Sequence, residues 1–217
     1  MSEVFQTLYS EAEERANSLT HALGLVLSIA GLIALMIAAR GGGIRETLSC
    51  GLYGITLVLV YATSTLYHGV SHHPSKRVLQ TLDHIAIFLL IAGTYTPFVL
   101  IALRGPWGWS LFGIVWTLAA LGTVCELTRL RHVRGLMVAL YIGMGWVGLI
   151  AIKPLVAAVP AAGMWLVLTG GVSYTLGVVF YVWRRMRYHH AVWHLFVLGG
   201  SVLQYFSVLW YVVPKST

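Results

Sequence analysis

Seven apolar runs follow one another along the chain, at approximately 19–39, 47–69, 82–103, 108–127, 135–153, 161–183 and 191–213. Each is close to the roughly 20 residues a helix needs to cross a hydrocarbon core about 30 Å thick. Gly41-Gly42-Gly43, His73-Pro74-Ser75, Gly105-Pro106, the cluster from Arg129 to Arg134, Lys153-Pro154 with Pro160, and the stretch from Arg184 to His189 separate them, combining charge with turn formers. None of the runs alternates apolar and polar positions with the period of a strand. In lipid the backbone must satisfy its own hydrogen bonds, so the pattern predicts an all-α integral membrane protein. The expected architecture is a single seven-transmembrane-helix bundle over residues 1–217, with a polar N-terminal segment at 1–18. The runs are too uniform in composition to reveal an internal repeat.

Composition supports this class. Of 217 residues, 58% are hydrophobic and only 10% charged, against about a quarter charged in soluble domains. Eight Trp and eleven Tyr suit the bilayer interface, where a ring with an apolar body and a polar tip is favoured. A net charge of +7 would suggest nucleic acid in a soluble protein. Here the basic residues sit between apolar runs and read as topology signals, which leaves membrane lipids as the expected partners and indicates no nucleic acid and no soluble protein partner. Cys50 and Cys125 lie in separate runs without CxxC spacing, which fits packing residues better than a disulfide or a thiolate metal site. The first eighteen residues, with Glu3, Glu11, Glu13 and Glu14, carry no cleavable signal pattern.

Orientation follows from Lys and Arg, which resist translocation. With the N-terminus inside, the inner segments hold nine: Arg15, Lys76, Arg77, Arg129, Arg131, Arg134, Arg184, Arg185 and Arg187. The outer segments hold five: Arg40, Arg45, Arg104, Lys153 and Lys215. The asymmetry predicts a cytoplasmic N-terminus and an outside C-terminus.

That topology brings polar intramembrane residues to one depth, just inside the cytoplasmic leaflet. Asn17 and His21 start the first run, Ser64 and His68 end the second, Asp83 and His84 start the third, Glu126 ends the fourth, and His189, His190 and His194 open the seventh. Ionisable groups in lipid are expensive and face the bundle interior in pairs or on metals. His190 and His194, at i and i+4, leave one face of a helix one turn apart, a recurrent way of presenting two imidazoles to zinc. Three imidazoles, from His68, His190 and His194, leave a fourth position open, and a carboxylate such as Asp83 beside that position can deprotonate a water. Ser64, one turn from His68, is placed to orient the water or a substrate carbonyl. The competing reading is a hydrogen-bonded polar network that joins helices, each bond worth only about 0.6 kcal/mol. His21 and Glu126 read as hydrogen-bonding partners of other groups more than as ligands. His72 and His73 read as solvated loop residues, and Pro97, inside the third run, frees a carbonyl and predicts a kink.

At these residues the chain resembles a known family. Glu14-x-x-Asn17-x-x-Thr20-His21, Ser64-x-x-x-His68, Asp83-His84, the stretch from Gly93 to Phe98, and His190-x-x-x-His194 followed by Gly199-Gly200-Ser201 are similar to the hemolysin III proteins, bacterial members of the progestin and adipoQ receptor family. The resemblance covers essentially the whole chain. It implies a zinc ion held by His68, His190 and His194, with Asp83 and Ser64 around the zinc-held water, in a bacterial inner-membrane protein. Eukaryotic relatives are associated with ceramidase-like hydrolysis of lipid amides, and bacterial ones with haemolysis and membrane homeostasis.

Three functions stand open on this reading. One is a zinc-dependent hydrolase of a membrane lipid amide or ester. The second is a regulator or sensor of membrane state with a structural zinc. The third, a pore-forming cytolysin, is disfavoured because seven near-continuous spans do not permit a soluble released form.

Overall fold

A computed structural model describes residues 9–71 and 73–213, the side chain of His73 excepted, and among these every regular element is helical. Seven helical stretches are long and apolar enough to span a membrane. The first, α1 (Glu11–Ala39), begins inside what reads as a polar N-terminal segment. The Ser10 side chain accepts from the Glu13 amide while the Glu13 carboxylate accepts from the Ser10 amide, and Glu11, Glu13 and Glu14 occupy the first turn. This reciprocal cap and acidic turn satisfy the free amides and complement the positive end of the helix dipole, so helix starts eight residues before the apolar run.

The second span is α2 (Ile44–Gly69). The third, α3 (His73–Pro97), also starts early, at the His73-Pro74-Ser75 break. Proline is tolerated in a first turn, whose N–H groups have no intrahelical partner. His72 lies outside the described residues, and the backbone at His73 is already helical. Pro97 lacks the amide that would close the preceding turn, and the chain continues as a π-helical segment, Phe98–Leu103, the wider turn expected where the hydrogen-bond ladder is interrupted.

After α4 (Gly105–Leu127) and a short turn, Arg129–His132, the fifth span runs from Arg134 to Ala158, farther than the apolar pattern suggests. It comprises α5 (Arg134–Gly145), a tight 3-10 segment Val147–Ala151, and α6 (Ile152–Ala158). Its interruption falls at Trp146, not at Lys153-Pro154, which lie in the first turn of α6. There the Tyr95 hydroxyl inserts into the ladder, donating to the Gly145 carbonyl at 2.7 Å and accepting from the Gly148 amide at 2.9 Å. The last spans are α7 (Ala161–Val182) and α8 (His189–Ser207), the latter extended by a π turn, Val208–Val212.

α8 packs against α7 and α1, while α2 bridges α1 to α3 and α4 covers α3. Polar side chains pin α8: Tyr61 and Tyr174 both reach Ser201 Oγ, at 2.8 and 2.7 Å, Tyr205 donates to the Gly31 carbonyl at 3.0 Å, and Ser207 donates to the Gly163 carbonyl at 2.9 Å. Gly170 and Gly200 let α7 and α8 approach backbone to backbone, since a Cβ on either would press on the other's carbonyl oxygen at 3.1 or 3.0 Å. The outer surface is apolar: Leu19, Val26, Ile33 and Ile37 on α1 and Trp165, Leu176 and Val179 on α7 are all exposed, as suits a lipid-facing bundle. α5 and α6 pack more loosely than the rest, and the interior beside them is open.

Candidate metal centre

The polar residues of five helices do converge. His190 and His194 stand one turn apart at the start of α8, with ring centroids 4.5 Å apart. His68, in the last turn of α2, faces both, its ring centroid 5.0 Å from that of His190 and 5.2 Å from that of His194. One ring nitrogen from each of the three lies within 4.8 Å of the others, and all three rings are buried. This group can hold a metal ion.

The hydrogen bonds around the rings support that fit. His68 Nδ1 bonds to Glu14 Oε2 at 2.5 Å, while His68 Nε2 is buried with no partner among the described residues. His194 Nδ1 lies 3.1 Å from both the Asn17 carbonyl oxygen and Thr20 Oγ1, which leaves its Nε2 to turn inward. His190 Nδ1 is likewise buried without a partner among the described residues. An imidazole that donates one N–H to a carboxylate or carbonyl and keeps its other lone pair free is in the tautomer a metal requires. Protein interiors rarely leave buried ring nitrogens unmatched, and two of these three rings carry one, at His68 Nε2 and His190 Nδ1, as suits a group that could hold a cation.

Glu14 is itself held. Lys76 Nζ lies 2.8 Å from Glu14 Oε1 and donates to the carbonyls of Tyr67 and Val70, both at 3.1 Å. The early starts of α1 and α3 are what place Glu14 and Lys76 here. The α8 end is fixed by Tyr188, whose left-handed backbone (φ 57°) turns the chain into the helix and whose amide donates to Glu13 Oε1 at 3.0 Å. Tyr9 packs over His190 at 5.1 Å between centroids and over His189 at 5.7 Å. Burial pushes the Tyr9 hydroxyl above its ordinary range, so it caps the cluster as a neutral phenol.

The remaining expected residues fall into two groups. Ser64 and Asp83 are buried and line one cavity of about 710 Å³ together with His190 and His194. Asp83 lies within electrostatic range of His68 and beside Ser64, although the Ser64 hydroxyl makes no hydrogen bond of ordinary geometry. The cavity extends from this polar end past Leu90, Ile91 and Phe98 of the third span and Val167 and Leu168 of α7. Glu126 behaves as anticipated, its Oε1 3.0 Å from His84 Nδ1 and 3.7 Å from Arg131 Nε. His21 does not: it has no hydrogen bond among the described residues, and its ring stacks on His194 instead. The orienting roles of Glu14, Asn17 and Thr20 could have been suspected from their i, i+3, i+6 spacing, which puts them on one face of α1. The part played by Lys76 left no signal in the sequence. Cys50 and Cys125 are free thiols.

Comparison with known proteins agrees with the residue pattern. A family model described as "Haemolysin-III related" matches residues 9–205. The chain is 45% identical to "Hemolysin-3" of Bacillus cereus, covering 94% of each sequence. It is 43% identical to "Hemolysin-3 homolog" of Bacillus subtilis (strain 168), over 95% of this chain and 97% of that protein. A more distant relative is the human "Monocyte to macrophage differentiation factor", 26% identical over 94% of this chain and 87% of that protein.

Proposed function

This chain belongs to the haemolysin-III-related family, and from that premise we propose that it is a zinc-dependent hydrolase of a membrane lipid amide or ester, acting in the inner membrane. One observation carries the reading: His190 and His194 of the histidine group line a cavity large enough for an acyl chain, and Asp83 and Ser64 line the same cavity. A metal that merely staples α2 to α8 has no use for either an adjoining cavity or a buried carboxylate.

His68, His190 and His194 would hold the ion. When bound, zinc polarises a carbonyl and lowers the pKa of the water it holds toward neutrality. Asp83 accepts the proton of the attacking water and returns it to the departing amine or alcohol. Ser64, beside Asp83, hydrogen-bonds the substrate carbonyl or the water and fixes the angle of attack. The apolar stretch of the cavity takes the acyl chain and excludes bulk water. Glu14 acts at one remove: by accepting the outer N–H of His68 it locks that ring's tautomer and raises its basicity.

Two predictions arise here. Glu14→Gln should weaken metal binding about 10- to 100-fold, the usual worth of such a carboxylate, measured by competition with a chromophoric chelator. Unchanged affinity would remove Glu14 from the centre. For orientation, a reporter that fluoresces only in the cytoplasm should be bright when fused before Met1 and dark after Thr217, as the nine-to-five basic asymmetry requires. The reverse pattern would put the site under the outer leaflet.

The function is tested by comparing the lipids of cells that carry the wild type and Asp83→Asn. A lipid amide or ester should accumulate in the variant, with its fatty-acid product depleted. Matching lipid profiles, with metal retained in both proteins, would remove Asp83 as the base, and a match with cells lacking the protein as well would overturn the hydrolase and leave a non-enzymatic role in membrane homeostasis.

A further inference from the structure

We propose that His21 is a ligand-binding residue of this centre that hydrogen-bonds an oxygen entering from the cavity, and that it is not a fourth metal ligand. The inference rests on the triad holding a metal with one position open.

His21 is 4% exposed, yet neither Nδ1 nor Nε2 has a hydrogen-bond partner among the described residues. A neutral imidazole carries one donor and one acceptor, and leaving both unmet in an interior is costly. Its neighbours do not supply the match. Tyr61 meets the ring at 5.1 Å with planes at 88°, but the Tyr61 hydroxyl is committed to Ser201. On its other side lies the His194 ring, whose outer nitrogen is taken up by Asn17 and Thr20. What remains is the cavity, which His21 lines together with Ser64, Asp83, His190 and His194. The partner that the protein withholds is therefore one that arrives there.

Stacking decides between ligation and hydrogen bonding. The centroids of His21 and His194 are 3.5 Å apart and their planes only 14° from parallel. Imidazole nitrogens coordinate and donate in the ring plane. Two planes so spaced cannot both contain one ion at the 2.0–2.1 Å or so that zinc demands. An ion in the plane of His194 is thus beyond ligating reach of His21. An oxygen that enters from the cavity on the His21 side of that plane would instead be a partner for its ring nitrogens, at the roughly 2.7–3.2 Å of a hydrogen bond. Consistently, His21 stands outside the three residues whose donor atoms share the 4.8 Å cluster. The ligand class is a carbonyl, carboxylate or hydroxamate oxygen.

The test loads the protein with cobalt(II), titrates it with acetohydroxamate by visible absorption, and measures metal content and the thermal transition in each variant. Wild type should show a saturating spectral change. His21→Phe should keep about one metal per chain and bind acetohydroxamate about 10- to 100-fold more weakly, as for a lost charge-assisted hydrogen bond. His21→Gln, which restores a donor, should recover part of the affinity. His21→Leu, smaller and also without a donor, gives the same reading if the phenyl ring does not fit. Wild-type affinity in the folded donor-less variants would make His21 a packing residue and overturn the proposal. Loss of metal from folded variants would make it a ligand and overturn it equally. A wild type that loads metal but ignores acetohydroxamate has a closed site, and then the hydrolase reading fails first and takes this proposal with it.

Discussion

Purified from membranes in detergent, the protein is expected to carry about one zinc per chain, and His68→Ala, His190→Ala and His194→Ala should each remove most of it. Three imidazoles match zinc in softness and number, and the two left after one truncation cannot complete a tetrahedral site without further solvent ligands. The loss should be all but complete for His68 and His194, whose outer nitrogens are held in place by Glu14 and by Asn17 with Thr20. Because the three rings come from α2 and α8, the metal-free variants should also melt at lower temperature. Metal analysis by mass spectrometry decides: full occupancy in all three variants would abandon the assignment.

The second large effect is expected at Asp83. Asp83→Asn keeps the volume and hydrogen-bonding capacity of the side chain but cannot accept a proton, so metal content and folding should persist. Turnover of the lipid substrate should fall by about 10²–10⁴-fold, the usual worth of a general base. Asp83 is buried beside Ser64 and within range of His68, yet is not among the residues whose donor atoms cluster for a metal. That placement separates base from ligand and makes the variant discriminating. If Asp83→Asn loses zinc as fully as His194→Ala, Asp83 is a fourth ligand, the site is closed, and the metal is structural. If metal stays and turnover is unchanged, the proton goes elsewhere, and Glu126, whose Oε2 is buried without a partner, becomes the group to test.

Much of this molecule is written in one dimension. Hydrophobic length alone determines seven spans, because lipid leaves a backbone no alternative to closing its own hydrogen bonds. Chain direction then alternates, which is why His21, Ser64, His68, Asp83, Glu126, His190 and His194 can be assigned to one end of the bundle before any fold is known. The i, i+4 spacing of His190 and His194 guarantees a shared face by helix geometry. Helix starts are less legible, since α1 and α3 begin in polar sequence where capping and first-turn proline, not hydropathy, set the boundary. The break in the fifth span was equally hidden, because it depends on the Tyr95 hydroxyl reaching across from α3.

Tertiary structure alone decided which polar groups pair. Glu14 with His68 and Lys76, and Glu126 with His84, join residues distant in sequence, and their choice depends on rotamers and on the helix separations that glycines permit. His21 is the clearest case. Its sequence position suits a hydrogen-bonding role, but only the packing of α1 against α8 lays its ring flat on His194, and that stacked geometry, with both nitrogens left bare, is a property of two helices together and of neither sequence segment by itself.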